Sequence, residues 1–436
     1  MIHGQARPFD LIDFILAKIF PFKGWRYNSD IINDYSDVIV PPYDVITPEE
    51  QNLYYDRSSY NYIRINLNPS PGNDRYENAS STLDQWKKNR VLIEEDHNAI
   101  YIIAQTFEQD GGTVERIGCI CSIQLTELGN VVLPHEKTIE KHLNDRLQLM
   151  EATRANTGQI FMCYRDEEMI LENIYETIVD KPVIVVRLDD VQYRVWPVTQ
   201  TDKIDQFLSG MMDKTLVIAD GHHRYKTALR YRLEHPGSDD ASRVMVTLVN
   251  SNNSGMQILP THRLLSGIEL NIDEIKARLE KSFQIETLNG VDAVLAHMDS
   301  EPERKGRLGL YHRESDTGLL LNFSGWNKLK TMLPDSIQTL RELNTNILHL
   351  FVLGSVFNVD TNNQEHLKHV SYLRGNKPVL DMLKKKSDYS VACFVNPPLL
   401  EDVFNIAESG AVSYTHLRAH ETASDLVCRL LLEKKK

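Results

Sequence analysis

The sequence predicts a mixed α/β fold, and three observations carry that prediction. Buried-strand patterns such as "LVIAD" (216–220) and "RVMVTLVN" (243–250) alternate with segments whose apolar residues recur at helical spacing. The stretch "LVIADGHHRYKTAL" joins one such strand directly to one such helix through a single glycine. Finally, 436 residues exceed what one small core organises, so a smaller C-terminal α/β region is expected beside the first.

The elements follow in order. "PFKGWRYN" precedes a predicted strand at 38–40 and a loop at 41–46 stiffened by Pro41 and Pro42. Thr47-Pro48-Glu49-Glu50 then reads as a capping box that starts a helix at Pro48. "YNYIRINL" (60–67) alternates like a strand, and "ASSTLDQWKKNRVL" reads as a helix. "AIYIIAQTF" and "RIGCICSIQL" are expected to pair around the turn at Asp110–Gly112. A helix is expected in "TIEKHLNDRLQLMEATRA", a strand in "QIFMCYR" and a hairpin in "PVIVVRLDD" with "YRVWPV". The 215 strand, its helix and the 243–250 strand close this part. Beyond "PTHRLL" (260–265) short strands and helices alternate to about residue 407, which sets an expected boundary of 17–265 against 266–411.

Both ends stand apart. Residues 1–16 show no clear pattern and form a candidate upstream extension. Residues 412–436, "VSYTHLRAHETASDLVCRLLLEKKK", resemble a translated short-read library adapter and are expected to lie outside the natural protein. Without them the chain counts 43 Lys and Arg against 58 Asp and Glu.

Composition bounds the function. Apolar residues make up 42% and charged residues 25%, as in soluble globular proteins. The apolar run at 11–20 is too short for a membrane span and is broken by Asp13 and Lys18. With no secretion-type cleavage pattern, a cytoplasmic protein is expected. The five cysteines form no CxxC pair, which fits a reducing compartment and argues against a zinc ribbon. A net charge of −13 without a basic stripe argues against extended nucleic-acid binding. A small anion held by a few local cations remains compatible, and the oligomeric state is left open.

Four clusters carry chemistry. At the 220–224 corner, Gly221 permits a sharp turn, and His222, His223 and Arg224 open the helix. Helix amides, dipole, imidazoles and guanidinium together suit an anion. A cation in a helix's first turn opposes the dipole, so Arg224 is costly there unless an anion lies beside it. In "LPHEKTIEKHLNDR", His135 and Glu136 precede a helix; Glu136 suits general-base work or simply favours a helix start, and Asp145 and Arg146 lie about two turns on. Tyr43 and Asp44 sit either on a ligand-facing loop or on a tight helix entry. His262 and Arg263 form a further polar knot at a strand end, structural or functional.

Taken in order, "PFKGWRYN", "PPYDVI", "HEKT…NDR", "IADGHHRYKTAL" and "ILPTHR" resemble the domain of unknown function 1015 family from roughly Phe20 to Ala411. Members of that family close with a "KSTYFYPK"-like segment that this sequence lacks. The "DGHHR" corner is also similar to the phosphate-binding box of the ParB/sulfiredoxin superfamily, which implies a ParB/sulfiredoxin-like core. His222 stands where sulfiredoxins carry cysteine, which excludes sulfinic-acid reduction. Free serine kinases of that superfamily resemble the chain more closely, with an early "HE" and a later "DGHHR". The resemblance implies Glu136 as base toward a serine hydroxyl and Gly221, His222, His223 and Arg224 as phosphate grip, with His223 also catalytic. It further implies Arg146 on the nucleotide, Asp220 positioning Mg2+ or substrate, and ATP or ADP as phosphate donor. Tyr43, Asp44, His135, His262 and Arg263 would face the small-molecule substrate. A gap of 84 positions between Glu136 and Asp220 departs from those kinases. Two other readings stay open: a metal-dependent phosphoesterase on Asp220, His222, His223 and His135, and a ParB-like nucleotide-binding protein without catalysis.

Overall fold

A computed structural model describes residues 17–41, 43, 46–109, 112–134, 140–188, 190–256, 258–360, 366, 368–385, 388–410 and 432–434. The chain divides into two compact units, the first from Met1–Met256 with Thr422–Lys436, the second from Gln257–Glu421. The division precedes Thr261, so His262 and Arg263 belong to the second unit and not to the expected 17–265 core.

In the first unit, β1 (Ile19–Phe20) and β2 (Gly24–Tyr27) precede α1 (Pro48–Arg57), α2 (Ile63–Asn66) and α3 (Asp74–Lys88). Next come β3 (Leu92–Glu94), β4 (Ile100–Gln109), β5 (Gly112–Gln124), β6 (Val132–Leu133) and α4 (Glu140–Thr153). β7 (Ala155–Asn156), β8 (Ile160–Tyr164), α5 (Ile170–Glu176), β9 (Ile184–Leu188), β10 (Val191–Val198) and α6 (Thr201–Met211) follow. β11 (Leu216–Asp220), α7 (His222–Glu234) and β12 (Arg243–Asn250) complete the run.

Eight of these strands form one sheet in the order β6-β11-β8-β12-β5-β4-β10-β9, and β1 adds beside β5. The sheet is mixed: β11 runs parallel to β6, and β12 parallel to β8. Alternate residues of its central strands enter separate cores, as period-two geometry requires. Ile100, Ile102 and Ala104 join one cluster with Phe207, Tyr225 and Ala228, whereas Tyr101 and Ile103 join another with Tyr27, Leu83 and Trp86. Both faces are therefore covered, and near-continuous apolar strands such as β8 are the consequence.

The Thr47 capping box forms as read: Thr47 Oγ1 accepts from Glu50 N–H at 3.2 Å, and Glu50 Oε2 accepts from Thr47 N–H at 2.9 Å. Two expectations fail nearby. Residues 60–67 hold the one-turn helix α2 and no strand, because Asn61 Oδ1 accepts the Ile63 N–H and the Tyr62 carbonyl accepts Asn66 N–H. Tyr62, Ile63 and Ile65 are all buried, so the alternation in sequence does not mark opposite sheet faces. Residues 38–40 are likewise no strand. Val38 ends the 3-10 turn Tyr35–Asp37, and Ile39 and Val40 continue as buried irregular chain.

The second unit is built on β13 (Thr261–Ser266), β14 (Phe283–Asn289), β15 (Arg307–His312), β16 (Thr317–Phe323), β17 (Val370–Arg374) and β18 (Tyr389–Val395). They form an antiparallel sheet in the order β14-β16-β15-β18-β13-β17. In the first unit a last strand, β19 (Leu432–Lys434), pairs antiparallel with both β2 and β7. That ladder uses main-chain groups common to every sequence, and Asn156 Nδ2 adds one side-chain contact to Glu433 at 2.5 Å. No helix among the described residues is long and apolar enough to cross a membrane.

Candidate functional site

The corner after β11 is set by one glycine. Gly221 has φ +93°, in the left-handed region that a side chain disfavours. A Cβ there would meet the Ile160 Cα at 3.3 Å and the Arg224 Nε at 3.1 Å. This turn lets α7 start immediately after the buried strand. Tyr225 N–H donates to the Gly221 carbonyl at 2.9 Å, and no side chain of the N-cap residue covers the first-turn amides. The first turn itself carries no acidic residue to complement the positive end of the helix dipole.

Arg224 departs from the expectation built on it. Its Nη2 donates to Asp220 Oδ2 and its Nη1 to the Gln159 carbonyl. The anion that offsets this first-turn cation is thus Asp220 itself, four residues earlier across the glycine. Asp220 and His222 are both buried, and Gln159 is held in turn by Thr247, whose hydroxyl donates to Gln159 Oε1 at 2.6 Å. Gln159 and Thr247 carried no signal in the sequence, since each reads as part of an ordinary strand. The helix is pinned further along by Tyr225, whose hydroxyl donates to the Thr126 carbonyl at 2.8 Å and accepts its N–H at 3.1 Å.

A second polar cluster lies on α2, α3 and α4. Arg146 Nη1 reaches the Asn66 carbonyl at 3.1 Å and Asn66 Oδ1 at 3.2 Å, while its Nε and Nη2 donate to Asp145 Oδ2 at 2.8 and 2.5 Å. Tyr43 lays its ring against the Arg146 guanidinium, 4.1 Å from centroid to Cζ. Asp145 Oδ1 accepts from the Tyr76 hydroxyl at 2.8 Å and faces Arg75 Nη2 at 3.2 Å. Burial alone would raise the Asp145 carboxyl, but Arg146, Tyr76 and Arg75 together hold it below its ordinary value. Tyr43 and Arg146, expected on different partners, therefore meet in one cluster, and Asn66, Arg75 and Tyr76 join them unannounced.

The remaining candidates fall elsewhere. Asp44, His135 and Glu136 lie outside the described residues. His262 sits in the second unit, 2% exposed, with Nε2 2.9 Å from Asn376 Oδ1 and Nδ1 accepting the Val395 N–H at 3.3 Å. Burial depresses the ring to about 4, opposed by the Asn376 hydrogen bond and aided by the nearby Arg263 charge, so His262 is neutral at pH 7. Arg263 is equally interior; its Nη1 donates to the Thr261 carbonyl and its guanidinium stacks on Tyr372 at 5.3 Å. Both residues are integrated into the packing of their own unit.

A family model described as a protein of unknown function, DUF1015, matches residues 19–345. The chain belongs to this family. In this DUF1015 protein the match spans the whole first-unit sheet, the 220–224 corner and the Arg146 cluster. No curated protein matches it. Among solved structures it is similar to a free serine kinase in complex with AMP, at 11% identity, covering 67% of this chain and 83% of that one with a TM-score of 0.32. A free serine kinase mutant in complex with ADP gives 12% identity over 67% and 84%, with a TM-score of 0.31. A C-terminally truncated SbnI from Staphylococcus aureus gives 11% over 67% and 79%, with a TM-score of 0.33. Overlaps this loose carry no functional argument for the DUF1015 chain. Among its described residues no three metal-ligating side chains converge.

Proposed function

We propose that the protein is a small-molecule phosphotransferase that moves a phosphoryl group from ATP or ADP to an amino-acid hydroxyl, with free L-serine as the favoured acceptor. The observation that carries this reading is the start of α7, whose N-cap is a left-handed glycine without a side chain at the end of a buried strand. Amides and dipole there suit phosphate oxygens, and His222 and His223 stand in the same turn. Arg224 is held in place by Asp220 and Gln159, and a guanidinium fixed beforehand stabilises developing phosphoryl charge without reorganising.

The motif resemblance supports Glu136 as the base that accepts the hydroxyl proton. Chain connectivity is compatible: β6 ends at Leu133 and runs parallel to β11, pairing Leu133 with Val217. Three residues span at most about 11 Å, enough to reach the sheet edge where β11 ends. Asp220 does not fit the metal role expected of it, because one of its oxygens is committed to Arg224 and a second cation there would be repelled. Mg2+ in such a reaction is commonly carried by the nucleotide phosphates with few protein ligands. Asp220 is thereby reassigned to positioning Arg224. The same pairing counts against the phosphoesterase alternative, which needs Asp220 as a ligand.

The test is incubation of the full chain with Mg2+, labelled ATP or ADP and L-serine, followed by detection of labelled O-phospho-L-serine. Glu136→Ala should keep nucleotide binding and lose turnover. Full turnover in that variant removes Glu136 from the mechanism.

A further inference from the structure

The Arg146 cluster lines a small recess, open to solvent, whose walls include Asn66, Asn68, Arg75, Tyr76, Asp145 and Arg146. Arg146 is spent on Asn66 and Asp145, and the Tyr43 ring lies against its guanidinium. Because Asn66 Oδ1 accepts from Arg146, the Asn66 amide orientation is fixed, and its Nδ2 is the end left for another partner. That Nδ2 is buried with no hydrogen-bond partner among the described residues, on a residue only 4% exposed. Arg75 Nε is buried and unpartnered in the same sense, although the Arg75 side chain as a whole is 43% exposed. Two N–H donors without acceptors thus belong to residues that line one recess. Among the described residues that line it, two guanidiniums face a single carboxylate, one positive charge in excess. Buried donors without acceptors are costly, and a ligand that supplies acceptors removes that cost.

We propose that this recess binds the carboxylate of the small-molecule substrate, with Asn66 Nδ2 and Arg75 as its donors and Arg146 as their scaffold. A carboxylate matches on both counts: it brings a single negative charge and two planar oxygens for two donors. A phosphate dianion would exceed the available charge and leave oxygens without donors. Arg146, expected on the nucleotide, becomes a positioning residue for the substrate.

The recess is tied to the 220–224 corner through main chain. Arg224 holds the Gln159 carbonyl, and Tyr62 donates its hydroxyl to the Thr157 carbonyl at 2.8 Å, two residues earlier. Asn66 lies one helical turn past Tyr62, about 6 Å along the axis of α2. The identity of the ligand as an amino acid rests on the phosphotransferase reading; the carboxylate site stands on the cluster alone.

The experiment titrates the full chain with L-serine, 3-hydroxypropionate, ethanolamine and inorganic phosphate, followed by ligand-observed NMR. L-serine and 3-hydroxypropionate, which share the carboxylate, should saturate one site, and ethanolamine, which lacks it, should bind at least about ten-fold more weakly. Arg75→Gln and Asn66→Asp should each weaken L-serine about ten-fold or more. Asn66→Asp keeps the Oδ1 acceptor for Arg146, and Arg75→Gln acts at a half-exposed side chain, so circular dichroism should show both folded. Equal binding of ethanolamine, tighter binding of phosphate, absence of carboxylate binding, or folded variants with unchanged affinity each overturn the proposal. Nucleotide affinity measured in parallel separates the two ideas. Carboxylate binding without nucleotide binding sinks only the phosphotransferase, and the converse sinks only this site.

Discussion

Replacing Arg224 with alanine strips Asp220 of its counter-charge and Gln159 of a donor at once. The pair is largely out of water, with side-chain exposures of 19% for Arg224 and 7% for Asp220. Removing one partner of a buried pair costs about 3–5 kcal/mol, and the residual exposure of Arg224 favours the low end, about 3 kcal/mol. In a unit of this size each kcal/mol shifts the midpoint by about 2–4 °C, so a drop of roughly 6–12 °C is expected. Asp220→Asn keeps an acceptor for the guanidinium and should cost about 1–2 kcal/mol. The combined Asp220→Asn/Arg224→Ala chain leaves no unpaired charge and should be no less stable than Arg224→Ala alone. That gives a coupling of at least about 1 kcal/mol in a double-mutant cycle, read by urea denaturation of all four chains. Effects that add within about 0.5 kcal/mol would show that Asp220 does not neutralise Arg224. The first-turn cation would then again require an external anion, and the reassignment of Asp220 would fall.

Gly221→Ala should destabilise by about 2–3 kcal/mol, from the left-handed backbone and the 3.3 Å approach to the Ile160 Cα, and should weaken nucleotide binding; unchanged melting and affinity would contradict the corner geometry. His262 makes the second unit acid-sensitive. Its folded value of about 4 lies below the ordinary 6.5, so between these pH values the unfolded chain binds more protons. Its contribution is complete above pH 6.5 and is lost as pH falls toward 4, by about 3 kcal/mol. Urea melts of wild type and His262→Gln at pH 7 and 4.5 check this, and equal pH slopes in the two chains would refute it.

Much of this was legible in the sequence because the information is local. The β11–Gly221–α7 corner, β12 and the Thr47 cap rest on spacing and residue type within one turn, and all appear as read. The failures share a cause in tertiary structure. "YNYIRINL" alternates, yet Tyr62, Ile63 and Ile65 all enter the core, because a one-turn helix packed on several sides buries neighbouring positions together. The Asp220–Arg224 pair crosses from the strand end to the helix start through a left-handed glycine, which helical spacing alone does not reveal. The Asn66–Arg75–Arg146 recess joins residues as far as 80 positions apart, and no local pattern marks Asn66 or Arg75.

The most direct measurement is transfer itself. The chain, Mg2+, ATP labelled at the γ-phosphate or ADP labelled at the β-phosphate, and L-serine are combined, and the products are separated by charge. The account predicts labelled O-phospho-L-serine that disappears in Glu136→Ala while the nucleotide still binds. Bound nucleotide with no label on serine, or label transfer undiminished in Glu136→Ala, would contradict it.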